Sequence, residues 1–313
     1  MLGKTANGLF WLFRNIERSE NTARMLDTGL RIALTRSSGD EEEWVSVLAT
    51  AGALSSFKES HSAVTGAAVI DFLLRDKTNS ASVISVMQSA RNNARTVRTA
   101  LTREVWETVN EAWMELEAAL KPAIKQRELP ALLESIRQQS ARIRGALHGT
   151  MLRNDMYNFC RLGTFIERAD ATARILDVKY YVLLPSVSYV GSSLDNVQWE
   201  SILRSVSAHR SYRWAYDDDY QAATIADFLI LNSRMPRSLA FCYSKIVSNL
   251  GYLETDYGVR HACHDHADAI RARLKDKVVE EIFDQGLHQF IQDFVRDNNR
   301  LGLLIDEAYR FNS

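Results

Sequence analysis

The twelve residues I16-E-R-S-E-N-T-A-R-M-L-D27 return, 150 positions later, as I166-E-R-A-D-A-T-A-R-I-L-D177. Eight of the twelve are identical, and Glu20/Asp170 and Met25/Ile175 are close replacements. A chain that carries one charged, apolar-striped segment twice must solve the same packing problem twice, which narrows the fold before any single residue does. The echo continues downstream: W44-V-S-V-L48 parallels W199-E-S-I-L203, and D71-F-L73 parallels D227-F-L229. The offset drifts only from 150 to 156 residues, so the order of elements is kept. We read a tandem duplication, with a first helical repeat over residues 1–150 and a second over 151–313. The two are expected to form one integrated globular domain.

No region sustains a period-two alternation, so strands are not expected. The chain has 4 prolines and 14 glycines in 313 residues, which suits helices joined by short turns. Each copy opens with a long helix, about 5–35 and 155–184. A polar loop follows in each, with Ser38 or Asp40, and Ser193 or Asp195, as candidate N-caps. Further helices begin near Trp44 and Trp199, carry Phe72 and Phe228, and cover 80–100 and 236–253. Pro130 suits a first helical turn, and helices over 131–148, 262–276 and 278–310 complete an all-α bundle with pseudo-twofold symmetry. With 46% apolar residues and a formal charge of −1, the chain can build a large core and has no global field for nucleic acid or anionic membrane. Three cysteines without a CxxC pair, and no apolar run of membrane-spanning length, point to a reducing, cytoplasmic setting.

At 100° per residue, Leu12, Phe13, Ile16, Ala23, Leu26 and Leu30 form one apolar stripe. Glu17, Glu20, Arg24 and Asp27 flank it, while Arg14, Arg18 and Met25 point away. Glu167, Asp170, Arg174 and Asp177 repeat the arrangement beside Leu162, Ile166, Ala173 and Leu176. Charges at a core edge cost several kcal/mol each unless paired. Glu20 to Arg24 is a favourable i,i+4 pair and Arg24 to Asp27 an i,i+3 one. Two such helices could also cross-pair Glu17 with Arg174 and Glu167 with Arg24. The alternative is a polar cleft that binds a charged ligand.

Arg91, Arg95 and Arg98 share one helical face at i, i+4 and i+7, and arginine forks suit carboxylate or phosphate. The second copy lacks them. H261-A-C-H-D-H-A-D268 has the look of a metal site, but these residues equally suit an exposed helix start, and no metal is expected. Tyr216-Asp217-Asp218-Asp219 lacks the further acid that a magnesium-binding aspartate motif needs. His148 and His288 read as packing or capping histidines. Nothing matches a phosphate loop, a nucleophile elbow or a dinucleotide fingerprint, so no cofactor is expected.

The repeated I-E-R…T-A-R-x-L-D helices, the A-R-N-N-A-R-T-V-R run with T-R-E-V-W-E-T-V-N, the turn at Gly149, and G286-L-H-Q-F together resemble the bacterial alpha-E family. The resemblance covers essentially the whole chain and implies an all-helical protein without an established activity. It gives Glu17, Arg18, Glu167 and Arg168 the name-giving positions, and Arg91, Asn93, Arg95 and Arg98 the arginine-run positions. Where the family tends to carry Asn-Pro before its fourth helix, this chain has Asn79-Ser80 and Met235-Pro236. Genes of the family tend to neighbour an ATP-grasp amide ligase and transglutaminase-like peptidases.

The function expected is therefore a non-catalytic partner or scaffold of such a peptide-modifying system, binding an acidic peptide or protein. The binding candidates are Glu17, Arg18, Glu20, Arg24, Glu167, Arg168, Asp170 and Arg174, together with the arginine run. An enzyme of the same system would use Glu17 or Glu167, with a pKa raised by burial, as general acid or base. A helical homo-oligomer whose charges only fix register is the third reading.

Overall fold

The computed structural model describes residues 3–35, 41–182, 193–216 and 220–311, with backbone only for 32–35, 178–182 and 193–197. Among the described residues there are fifteen α-helices and no strand. No helix among the described residues is long and apolar enough to cross a membrane.

The first half holds α1 (Gly3–Thr35), α2 (Glu41–Thr50), α3 (Leu54–Ser60), α4 (Gly66–Leu74), α5 (Val83–Thr96), α6 (Arg103–Leu120) and α7 (Leu129–Thr150). The second holds α8 (Asp155–Val182), α9 (Ser193–Ser205), α10 (His209–Ala215), α11 (Ala222–Ile230), α12 (Leu239–Tyr257), α13 (Ala262–Asp276), α14 (Val279–Gln285) and α15 (Leu287–Tyr309). Residues 278–310 thus form two helices, not one, because Gly286 breaks the run at φ +96°. The cap candidates Ser38 and Asp40 lie outside the described residues; Ser193 opens α9 itself and Asp195 lies inside it. Among the described residues, Thr65, Ser82, Thr102, Asn154 and Ser238 act as caps, each accepting a first-turn backbone N–H.

The long helices α1 and α8 pack side by side along the middle of the molecule. Their facing positions advance together along both, from Phe10 against Gly163 to Glu17 against Arg168, so the two run parallel. A Cβ on Gly163 would stand 2.1 Å from the Phe10 carbonyl oxygen, which makes the absence of a side chain there a steric necessity. Helices α5 and α7 pack on α1, and α12 and α15 on α8. All six stripe residues of α1 are buried. Because α1 is enclosed on several sides, Arg14 and Arg18 do not reach open solvent as the helical wheel suggests; they turn onto α8.

Candidate functional site

The carboxylates of the repeated motif meet across the α1–α8 interface. Arg168 grips Glu17 with two parallel hydrogen bonds of 2.9 Å, from Nε to Oε1 and from Nη2 to Oε2. Arg18 grips Glu167 likewise at 2.5 and 2.9 Å, and Arg14 adds a third bond at 3.0 Å. The cross-pairing therefore joins each Glu-Arg dipeptide to the other. It does not use Arg174 or Arg24, which lie about two turns further along and pair within their own helices, Arg24 with Glu20 and Arg174 with Asp170. Asp27 is bound by Arg31 and Arg137 rather than by Arg24.

Two arginines from elsewhere complete the cluster. Arg237, just ahead of the Ser238 cap of α12, donates from Nη1 to Glu17 (3.1 Å) and Asn21 (3.0 Å) and from Nη2 to Glu20 (2.7 Å). Arg144 of α7 bonds Glu20 and reaches Glu17 at 3.4 Å, while Ser140 donates to Glu20 at 2.8 Å. Six guanidiniums (Arg14, Arg18, Arg24, Arg144, Arg168 and Arg237) meet three carboxylates, a surplus of three positive charges. Neither Arg144 nor Arg237 stands out in the sequence, although Pro236, directly before the second of them, marks its position ahead of α12.

Burial alone would raise the pKa of each carboxylate. Arg168 and Arg237 outweigh that effect at Glu17, and Arg237, Arg144 and Arg24 do so at Glu20, so both are held below the usual range. Arg18 and Arg14 bring Glu167 down to about 2. The raised carboxylate pKa expected of a general acid is not found: enough guanidiniums lie against the carboxylates to keep all three ionised. Burial without full compensation lowers Arg237 to about 10.

The cluster opens on one side into a cleft of about 520 Å³. Glu20, Asp27 and Glu134 line it with Arg24, Arg31, Arg137, Arg144, Arg204, Arg210 and His209. Arg24 also bonds the hydroxyl of Ser207, a non-glycine residue at φ +54°. Beside Arg174 and Asp177 lies a second cleft of about 400 Å³, with Val45, Ala49, Leu54, Ile291 and Val295 on its walls.

The arginine run is elsewhere. Arg91 is held by Asn110 at 2.9 Å, Asn93 is half-buried and Arg95 is exposed. Arg98 does not extend the helical face, because α5 stops at Thr96 and Arg98 enters a 3-10 turn over Trp106. Val97, which ends the helix, packs on Gly8, about 14 Å along α1 from Glu17. The histidine run starts α13 as expected. However, His264 is buried rather than exposed and binds the backbone of His261 and Leu250. Among the described residues no three His, Cys, Asp or Glu side chains converge as a metal site would require. Asp217, Asp218 and Asp219 lie outside the described residues. His288 faces Asp177 at 2.6 Å.

A sequence-family model described as "Alpha-E: A predicted alpha-helical domain with a conserved ER motif" matches residues 1–309. No curated protein and no solved structure matches the chain.

Proposed function

The chain belongs to the alpha-E family, and we propose that it is a non-catalytic binding partner of a bacterial ATP-grasp amide-ligase and transglutaminase-like system, seating a carboxylate-rich peptide or protein segment in the cationic cleft. The observation that carries this reading is the excess of six arginines over three carboxylates lining that cleft. Arginine forks bind carboxylates bidentately, and Arg210 has no partner among the described residues. Glu17 and Glu167 are poor proton-transfer groups when held ionised, which favours binding over catalysis.

The two halves are read as diverged copies about a pseudo-twofold. Supporting this, α3 and α10 each span seven residues and open at Leu54 and His209, 155 positions apart. Likewise α4 and α11 each span nine and open at Gly66 and Ala222, 156 apart.

The test is calorimetric titration of the protein with the co-encoded ligase and with an oligoglutamate peptide. Removing one charge-assisted hydrogen bond should weaken binding by about 1.5–3 kcal/mol, roughly ten- to hundredfold. Arg210→Glu is expected to do at least this, and added salt to weaken the wild type. Arg95→Ala, on the separate α5 surface, should leave the affinity unchanged. Binding abolished in Arg95→Ala but kept in Arg210→Glu would move the acidic partner to the arginine run. No binding by the wild type would remove the reading.

A further inference from the structure

His148, in the last turn of α7, faces Tyr157 and Arg161 of α8. Its Nε2 lies 2.9 Å from Arg161 Nη1, and its Nδ1 lies 2.7 Å from the Tyr157 hydroxyl. A guanidinium only donates, so Nε2 must accept, and the ring is neutral with its proton on Nδ1. That proton goes to the Tyr157 oxygen. The hydroxyl's own hydrogen is then left without an acceptor among the described residues, although Tyr157 is buried.

Two cations flank this hydroxyl. Arg161 is half-buried, 4.3 Å from the Phe165 ring centre, and meets no carboxylate among the described residues. Arg153 lies 4.1 Å over Tyr157 and donates to the carbonyls of His148 and Met151. The unclaimed hydroxyl and the half-buried Arg161 carry a free-energy penalty that an anion would remove, and the exposed Arg153 adds a second positive charge beside them. We propose that the junction of α7 and α8 binds one small oxyanion, a carboxylate or phosphate group, received by the Tyr157 hydroxyl and the Arg161 and Arg153 guanidiniums. His148 is its positioning residue. This site is separate from the cleft and does not depend on the reading given to it.

Titration of His148 gives the signature. Partial desolvation of the ring, and then the charges of Arg161, Arg153, Arg144 and Arg168, push its pKa down to about 4. Tyr157 faces the same ring. A bound anion opposes those cations and must raise the value.

The experiment is imidazole NMR of the full-length protein titrated separately with inorganic phosphate and with acetate. The expected result is a saturable shift of the His148 signals with a higher His148 pKa at saturation. Arg161→Gln should weaken binding about tenfold or more. Tyr157→Phe should weaken it severalfold with an unchanged melting temperature. A response to phosphate alone marks a phosphorylated ligand and a response to acetate a carboxylate; either supports the site. The absence of a saturable shift with both anions in the wild type overturns it, whether or not the variants fold. Unchanged affinity in a folded Arg161→Gln does the same.

Discussion

Two clefts border the repeated charged helices, and they differ in what packs against the same motif. At Arg24 and Asp27 the facing walls are α7, α9 and α10, which bring Arg137, Arg144, Arg204 and Arg210. At Arg174 and Asp177 they are α2 and α15, which bring Val45, Ala49, Ile291 and Val295. The consequence reaches the carboxylates. Glu20 is fully buried and receives Arg24, Arg144, Arg237 and Ser140. Asp170, its counterpart in the sequence, receives Arg174, whose side chain is 36% exposed. A motif sets where charge can be placed; the walls decide whether that charge becomes a lattice with a cationic opening or a simple pair at the surface.

The sharpest way to break this comparison is to delete both carboxylates. Glu20→Ala should cost about 3–5 kcal/mol, because it strips Arg144 and Arg237 of a buried counter-charge. Asp170→Ala should cost at most about 1 kcal/mol, the range of a partly exposed pair. Equal destabilisation in urea denaturation would mean that the two environments do not differ energetically.

Acid should dismantle the shared lattice next. The folded pKa of Glu167 is depressed, so its stabilisation is present above pH 4.5 and is lost as pH falls towards about 2. That amounts to about 3 kcal/mol. Glu167→Gln should be less stable near neutrality and should flatten the stability profile across that window. A variant whose stability falls as steeply as the wild type would show that Glu167 is not held ionised.

The smallest effect concerns two turns with left-handed backbone, Gly52 at φ +66° and Ser207 at φ +54°. Both follow the helix that packs beside the motif, α2 and α9. Gly52→Ser should cost about 1 kcal/mol through the side-chain clash of that conformation. Ser207→Gly should change stability by less than about 0.5 kcal/mol, since relief of strain and removal of the hydroxyl bonded to Arg24 offset each other. Thermal melts of both variants would decide whether the serine serves stability or only holds the arginine.

The helical class, the bounds of α1, α8 and α13, and the flank position of Glu17, Glu20, Glu167 and Arg24 were all legible, because each rests on local spacing. The cross-pairing was not. A helical wheel assigns one buried face, whereas α1 is packed on several sides, and this turned Arg14 and Arg18 onto α8. Arg144 and Arg237 come from 124 and 217 residues beyond Glu20, a separation that no periodicity reports. Arg98 left its expected face because Val97 had to be buried against Gly8 and the helix ended there.

Gly163 sets a tolerance for the whole assembly. Any heavier residue there would have to retreat by about 1 Å or more from the Phe10 carbonyl to reach ordinary van der Waals distance. The paired guanidiniums and carboxylates of Glu17 and Glu167, about one turn along α8, hold at 2.5–2.9 Å. Hydrogen bonds of that kind are well made only up to about 3.2 Å. A single methyl group, itself uncharged, would thus propagate as a misalignment larger than the ion pairs can absorb. The separation of the two helices is consequently gauged by one missing side chain, and the electrostatics of the interior inherit its accuracy.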